Sequence, residues 1–162
     1  MRILAATLLA ALVAAPAALG ASFTFTVNTT SPVTAPGVTL NGDDQTTTFT
    51  MSYTVAYTGG NNNAGWHVSA SSTALTSGSA TLPAMQVTTV AEACGGSCTT
   101  APNNSVTWPV TLGTTAQEIY NAATTTGRGT FSLTPTFQVS YPANAQPGTY
   151  SATVTVTGAT GP

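Results

Sequence analysis

The sequence predicts an all-β chain, a two-sheet antiparallel β-sandwich of about seven to nine strands with one short connecting helix. Three observations lead there. Apolar residues alternate with Thr and Ser along most of the chain, the period-two signature of strands with one face on a core and the other in water. Clusters of Gly, Pro, Asn and Asp separate the alternating runs, which is turn chemistry. Charge is nearly absent: Asp, Glu, Lys and Arg make up 4% of the 162 residues, against about 25% in an ordinary soluble domain.

The N-terminus reads differently from the rest. Met1-Arg2 supplies one positive charge, Ile3 to Val13 is an apolar run interrupted only by Thr7, and Ala14 to Ala21 is rich in small residues around Pro16. Charge, apolar run and small-residue site in that order define a secretory signal peptide. The rival reading is an uncleaved anchor, but a bilayer span takes about 20 apolar residues and this run is shorter. Ala18 and Gly20 suit the −3 and −1 positions, so cleavage is expected before Ala21, or one residue later. Residues 1–20 are thus expected to be a signal peptide and residues 21–162 a single β-sandwich domain. The protein is expected to be secreted and extracellular, at the cell surface, with no membrane span after cleavage.

The strand signals follow in order. Phe23, Phe25 and Val27 alternate with Thr and Asn. Phe49, Met51, Tyr53, Val55 and Tyr57 repeat the pattern, followed by Trp66, Val68 and Ala70. Val87 and Val90 are less regular, and Val106, Trp108, Val110 and Leu112 come next. Phe131, Leu133, Phe137, Val139 and Tyr141 mark a long strand or a bent pair, with Pro135 suggesting a bend or bulge. Tyr150, Ala152, Val154 and Val156 close the chain. Pro109 lacks a backbone donor, which places its strand at a sheet edge. Thr115-Ala116-Gln117-Glu118 fits a capping box, so the expected helix runs through Ile119 to Ala123.

Chemistry-bearing residues are few. Arg128 is the only basic residue after the leader, which leaves nothing to neutralise the phosphates of a nucleic acid. Attraction by charge to anionic lipid or to an acidic polymer is excluded on the same ground. Cys94 and Cys98 are the only cysteines. In an exported chain the CGGSC spacing reads as a local disulfide pinning a loop. A redox pair would want CxxC near a βαβ unit, and a metal site would want more ligands than His67 offers. His67 as a catalytic base lacks a GxSxG partner and reads as a solvated surface residue. Asp43 and Asp44 neighbour each other in a turn, Glu118 caps the expected helix, and Glu92 lies beside the cysteines, so no carboxylate pair is assembled. Asn41-Gly42-Asp43-Asp44 lacks the spacing of a calcium loop. Trp66 and Trp108 are in phase with apolar neighbours, which favours core over an exposed lectin-like platform. Asn28-Thr29-Thr30 and Asn103-Asn104-Ser105 match a glycosylation sequon that is common by chance in such a composition. No enzyme activity and no cofactor are expected.

Two stretches, taken together, resemble a known family. Gly65-Trp66-His67-Val68 is followed by Leu75 and a small-residue run to Leu82. Gly127-Arg128-Gly129-Thr130-Phe131 then precedes Val139-Ser140-Tyr141-Pro142 and Pro147-Gly148-Thr149-Tyr150-Ser151-Ala152-Thr153-Val154. The order resembles the WxL-type cell-surface domains of Gram-positive bacteria. Val68 stands where the name-giving motif has Leu, and the final strand reads Thr155-Val156-Thr157-Gly158, without a second Trp-x-Leu. The resemblance implies a non-enzymatic envelope protein attached to the cell wall without a covalent bond. In it Gly65, Trp66, Val68, Gly127, Gly129, Pro142, Gly148 and Tyr150 would be motif residues of structural rather than catalytic importance.

The leading expectation is therefore a secreted β-sandwich that binds a cell-wall or surface polymer, or other surface proteins. The alternative is a self-assembling structural subunit, pilin-like or a coat protein. Low charge leaves self-association unopposed, and the Phe23–Val27 strand would pair with a neighbour's sheet edge.

Overall fold

The computed structural model describes the backbone of residues 5–12 and the full residues 22–60 and 63–161. The expected cleavage site at Gly20 and Ala21, and Asn61 and Asn62 of the expected Gly59–Asn63 turn, lie outside them. Among the described residues there are thirteen strands and no helix. In chain order they are β1 (Ala5–Leu12), β2 (Phe23–Val27), β3 (Val33–Ala35), β4 (Gln45–Thr50), β5 (Tyr53–Tyr57), β6 (Trp66–Ser72), β7 (Thr76–Ser77) and β8 (Ala80–Thr81). After these come β9 (Gln86–Thr100), β10 (Val110–Thr111), β11 (Gln117–Ala122), β12 (Arg128–Tyr141) and β13 (Thr149–Thr160).

The strands form two sheets. Sheet I runs β11-β6-β13-β1-β3, with the short β7 and β8 beside β13; sheet II runs β10-β9-β12-β5-β2, with β4 also on β12. The pairings are antiparallel except one: β1 runs parallel to β13. The all-β, two-sheet expectation holds. The apolar N-terminal run is itself a strand of sheet I, lying between β13 and β3.

The helix expected over Thr115–Ala123 is not formed, and the segment is β11, paired antiparallel with β6. Tertiary partners decide this. Ile119, Tyr120, Asn121 and Ala122 are buried one after another, which neither a half-exposed helix nor a strand with one face in water would allow. A register shift between Glu118 and Tyr120 and a second layer of chain over β11 account for it. Glu118 is therefore not a helix cap. Its backbone is in the β11 ladder opposite Ser69.

That second layer is the segment 103–108, expected to join the Val106–Leu112 strand. Only Val110–Thr111 is a strand, at the edge of sheet II as Pro109 predicts. The preceding residues are tied to β11 by side chains instead of a ladder. Asn121 donates its backbone N–H to Asn104 Oδ1 at 3.0 Å, and Ser105 donates to Asn121 Oδ1 at 2.8 Å. The buried Asn121 amide also donates from Nδ2 to Ser105 Oγ at 2.9 Å, so both ends of it are satisfied, as burial of an amide requires.

Pro135 does not break β12, which is continuous over 14 residues. It marks a change of partner: residues 129–133 pair with β5, residues 136–141 pair with β4, and the register on β9 shifts between Thr136 and Phe137. The Pro135 carbonyl accepts the Met51 N–H in the gap between β4 and β5.

The core lies between the sheets. Sheet I contributes Trp66, Val68, Ala70, Tyr150, Val154 and Val156, and sheet II contributes Tyr53, Val55, Phe131, Leu133, Phe137 and Val139, all buried. Burying each large apolar side chain contributes about 1.5–3 kcal/mol. Phe49 and Phe137 are opposite one another in register and stack with centroids 5.1 Å apart.

Candidate functional site

The two motif-bearing stretches, more than sixty residues apart in sequence, meet at one end of the sandwich. Trp66 is fully buried at the start of β6 and donates its indole N–H to the Gly127 carbonyl at 2.8 Å. Gly127 has φ +69°, and a Cβ there would lie 2.5 Å from Trp66 Nε1. Gly65 has φ +77°, and its Cβ would lie 2.1 Å from the Ala122 carbonyl oxygen. Both positions therefore need glycine for backbone conformation and for space. Val68 is buried two residues beyond Trp66. At the other end of the sandwich Pro142 opens a turn whose carbonyl accepts the Ala145 N–H. Gly148 packs against Ser77, and Tyr150 is buried with its hydroxyl donating to the Gln146 carbonyl at 2.8 Å.

Aromatic rings run from the surface inward at the Trp66 end. Trp108 is half-buried and stacks on Tyr120, which stacks on Trp66, which in turn meets Phe131. Trp108 donates its indole N–H to the Ile119 carbonyl at 3.0 Å. Burial, then the Glu92 carboxylate 3.4 Å from its hydroxyl, holds the Tyr120 phenol well above its ordinary range. Trp66 is closed to any ligand, and Trp108 is the half-buried ring of the four.

Cys94 and Cys98 are bonded to each other, with Cα atoms 5.9 Å apart. They lie within β9 and not in a free loop. Gly129 and Phe131 of β12 stand opposite Cys98 and Cys94, so the bond closes a bulge in which β9 carries the extra residues. A Cβ at Gly129 would lie 2.3 Å from the Ser97 carbonyl oxygen, which is why the bulge demands glycine across from it.

Beside this bulge is a cleft of about 280 Å³ lined by Tyr57, Thr58, Ser97, Thr99, Arg128 and Thr130. Arg128 is exposed and packs over Gly59, with Nε donating to the Thr58 carbonyl at 3.3 Å. That bond uses one guanidinium donor of five. One cation amid hydroxyls suits an anionic oxygen carried on a polyol.

The carboxylates are apart. Asp43 is held by Asn41 within its own turn, and Asp44 accepts the Ala143 N–H at 2.7 Å, tying that turn to the Pro142 loop. His67 is half-buried on the outer face of β6, its Nδ1 bonded to the Gly161 carbonyl. Among the described residues no three His, Cys, Asp or Glu side chains converge as metal ligands, and no helix is long and apolar enough to cross a membrane. The Arg128 cleft was not singled out from the sequence. The signal for it was there, in the only basic side chain after Arg2, set between two glycines. Comparison with models of known protein families gives no match for this chain, and comparison with curated proteins gives none either.

Proposed function

We propose that this chain is an exported, non-enzymatic β-sandwich that binds the cell envelope, with the Arg128 cleft as its contact. The observation that carries the reading is the cleft itself. Gly127 and Gly129, both at positive φ, allow the turn that presents Arg128, and the disulfide-closed bulge places Ser97 and Thr99 next to it. The chain's composition gives no general attraction to an acidic polymer, so the match is local: one guanidinium for a carboxylate or phosphate oxygen, and neighbouring hydroxyls for a hydroxyl-rich backbone. The WxL-like order of motifs and the signal-like N-terminus point the same way.

The rival reading, a self-assembling subunit, takes its motive from the Phe23–Val27 strand. That strand is paired along its whole length with β5 of its own chain. Phe25 stacks on Tyr53, and both Phe rings lie against Gly158. Donating it to a neighbour would uncover this packing.

Co-sedimentation with purified cell wall tests the proposal. The mature domain is expected in the pellet, released by salt, with Arg128→Ala bound at least several-fold more weakly and equally well folded. A parent domain that stays wholly in the supernatant would mean that wall binding is wrong.

A further inference from the structure

We infer that loss of the N-terminal segment opens a strand-wide slot in sheet I, between β13 and β3, and that an extended segment of another surface polypeptide fills it. This rests on the reading above that the chain is exported and its leader removed.

The slot is drawn by backbone pairing. All eight residues of β1 pair in parallel register with Thr149–Val156 of β13, and residues 6–8 also pair with β3 on the other side. Residues 1–20 carry the signal-peptide pattern, so the strand that completes sheet I is the one expected to be cut away. What it leaves is not a normal edge. Natural edge strands are short, or carry Pro, charge or a bulge that discourages pairing. β3 fits that description, with three residues between Pro32 and Pro36. The facing stretch of β13, Thr149-Tyr150-Ser151-Ala152-Thr153-Val154-Thr155-Val156, has no Pro, no Gly and no charge. Its β1 register runs without a shift. Inward-facing Tyr150, Ala152, Val154 and Val156 would also lose their neighbour on one side.

The occupant is defined by the same geometry. It must be one extended strand, because β1 pairs on both sides. It must run parallel to β13. Positions 6, 8, 10 and 12 stand in register with Tyr150, Ala152, Val154 and Val156, so the occupant needs small or aliphatic residues at alternate positions and no charge there. This chain's own mature N-terminal strand does not qualify as donor, since β2 is committed to β5 and Gly158. A segment of a different surface protein remains.

The experiment uses the exported protein and a synthetic peptide of residues 4–13 with a solubilising lysine tail. Intact mass first establishes whether residues 1–20 are gone. The peptide is expected to bind the mature protein, to raise its Tm by about 5 °C or more at saturation, and to protect amides of Thr149–Val156 from hydrogen exchange. A peptide with Leu8→Asp, in register with inward Ala152, should bind at least tenfold more weakly. Leu9→Asp, in register with Thr153, should bind as the parent peptide does. A mature protein that keeps its protection and ignores the peptide overturns the slot while leaving export intact, and an exported chain that keeps residues 1–20 overturns both. An oligomer that the peptide dissociates would place a second copy in the slot, against this assignment. If the mature domain does not fold alone, a protease site inserted after Gly20 of the intact chain serves. The cut fragment should stay bound and exchange for the parent peptide, and its loss without change in protection overturns the proposal.

Discussion

Trp66 donates its indole N–H to the carbonyl of Gly127, 61 residues later and 2.8 Å away. The bond joins the start of β6 to the turn before β12, and so ties sheet I to sheet II at the end where Arg128 emerges. Truncating Trp66 to Ala should cost about 3–5 kcal/mol, much of the roughly 5–15 kcal/mol that holds a domain together. Gly127→Ala, with φ +69° and no room for a Cβ, should also destabilise. Denaturant midpoints at unchanged slope measure both. A Trp66→Ala protein that melts like the parent would refute the core role.

Tyr150 and Tyr141 make a contrasting pair. The Tyr150 hydroxyl has its partner at Gln146, whereas the buried Tyr141 hydroxyl has no hydrogen-bond partner. Tyr150→Phe should cost about 1 kcal/mol, and Tyr141→Phe should be neutral or stabilising, because it removes an unsatisfied buried group. Thermal melts of the two variants side by side decide this.

Reducing the Cys94–Cys98 bond, or Cys94→Ser, should cost about 2 kcal/mol, as expected for so short a loop. The effect should be confined to the bulge. Hydrogen exchange across β9 should rise near Ser97 while exchange across β6 and β13 stays as in the unreduced protein, and wall binding should fall together with the shape of the Arg128 cleft.

Alkali should destabilise the fold. Burial raises the phenol pKa values of Tyr53, Tyr120 and Tyr141 above their ordinary value of 10.0, with Glu92 adding to the effect at Tyr120 and Tyr150 at Tyr141. Above about pH 10 the unfolded chain releases these protons while the folded one retains them, so stability falls as pH rises. The contribution is fully present below that pH. Stability measured from pH 8 to 11.5 should be flat and then decline, and Tyr120→Phe should soften the decline.

Much of the fold was legible because alternation and turn residues are local signals. The runs at Trp66–Ala70 and Tyr150–Val156 carry inward apolar residues at period two and each lies in one strand, while the run at Phe49–Tyr57 keeps the period but is divided at Met51 and Ser52 into β4 and β5. β11 was misread because its capping-box pattern is also local, whereas the partners that make it a strand are β6 on one side and Asn104 and Ser105 on the other. The Arg128 cleft was hidden for a similar reason. Thr58, Ser97 and Arg128 are far apart in sequence, and only the pairing of β5, β12 and β9 brings them together. The disulfide was readable from spacing, its place inside a β-bulge was not.

The most direct test of the account is where the native protein resides and where it begins. Cells producing it are fractionated, and the purified chain is subjected to N-terminal sequencing. The account predicts a chain beginning at Ala21 or Ser22, recovered outside the cytoplasm with the envelope fraction and released from it by salt. A chain beginning at Met1 and recovered in the cytoplasm would contradict it.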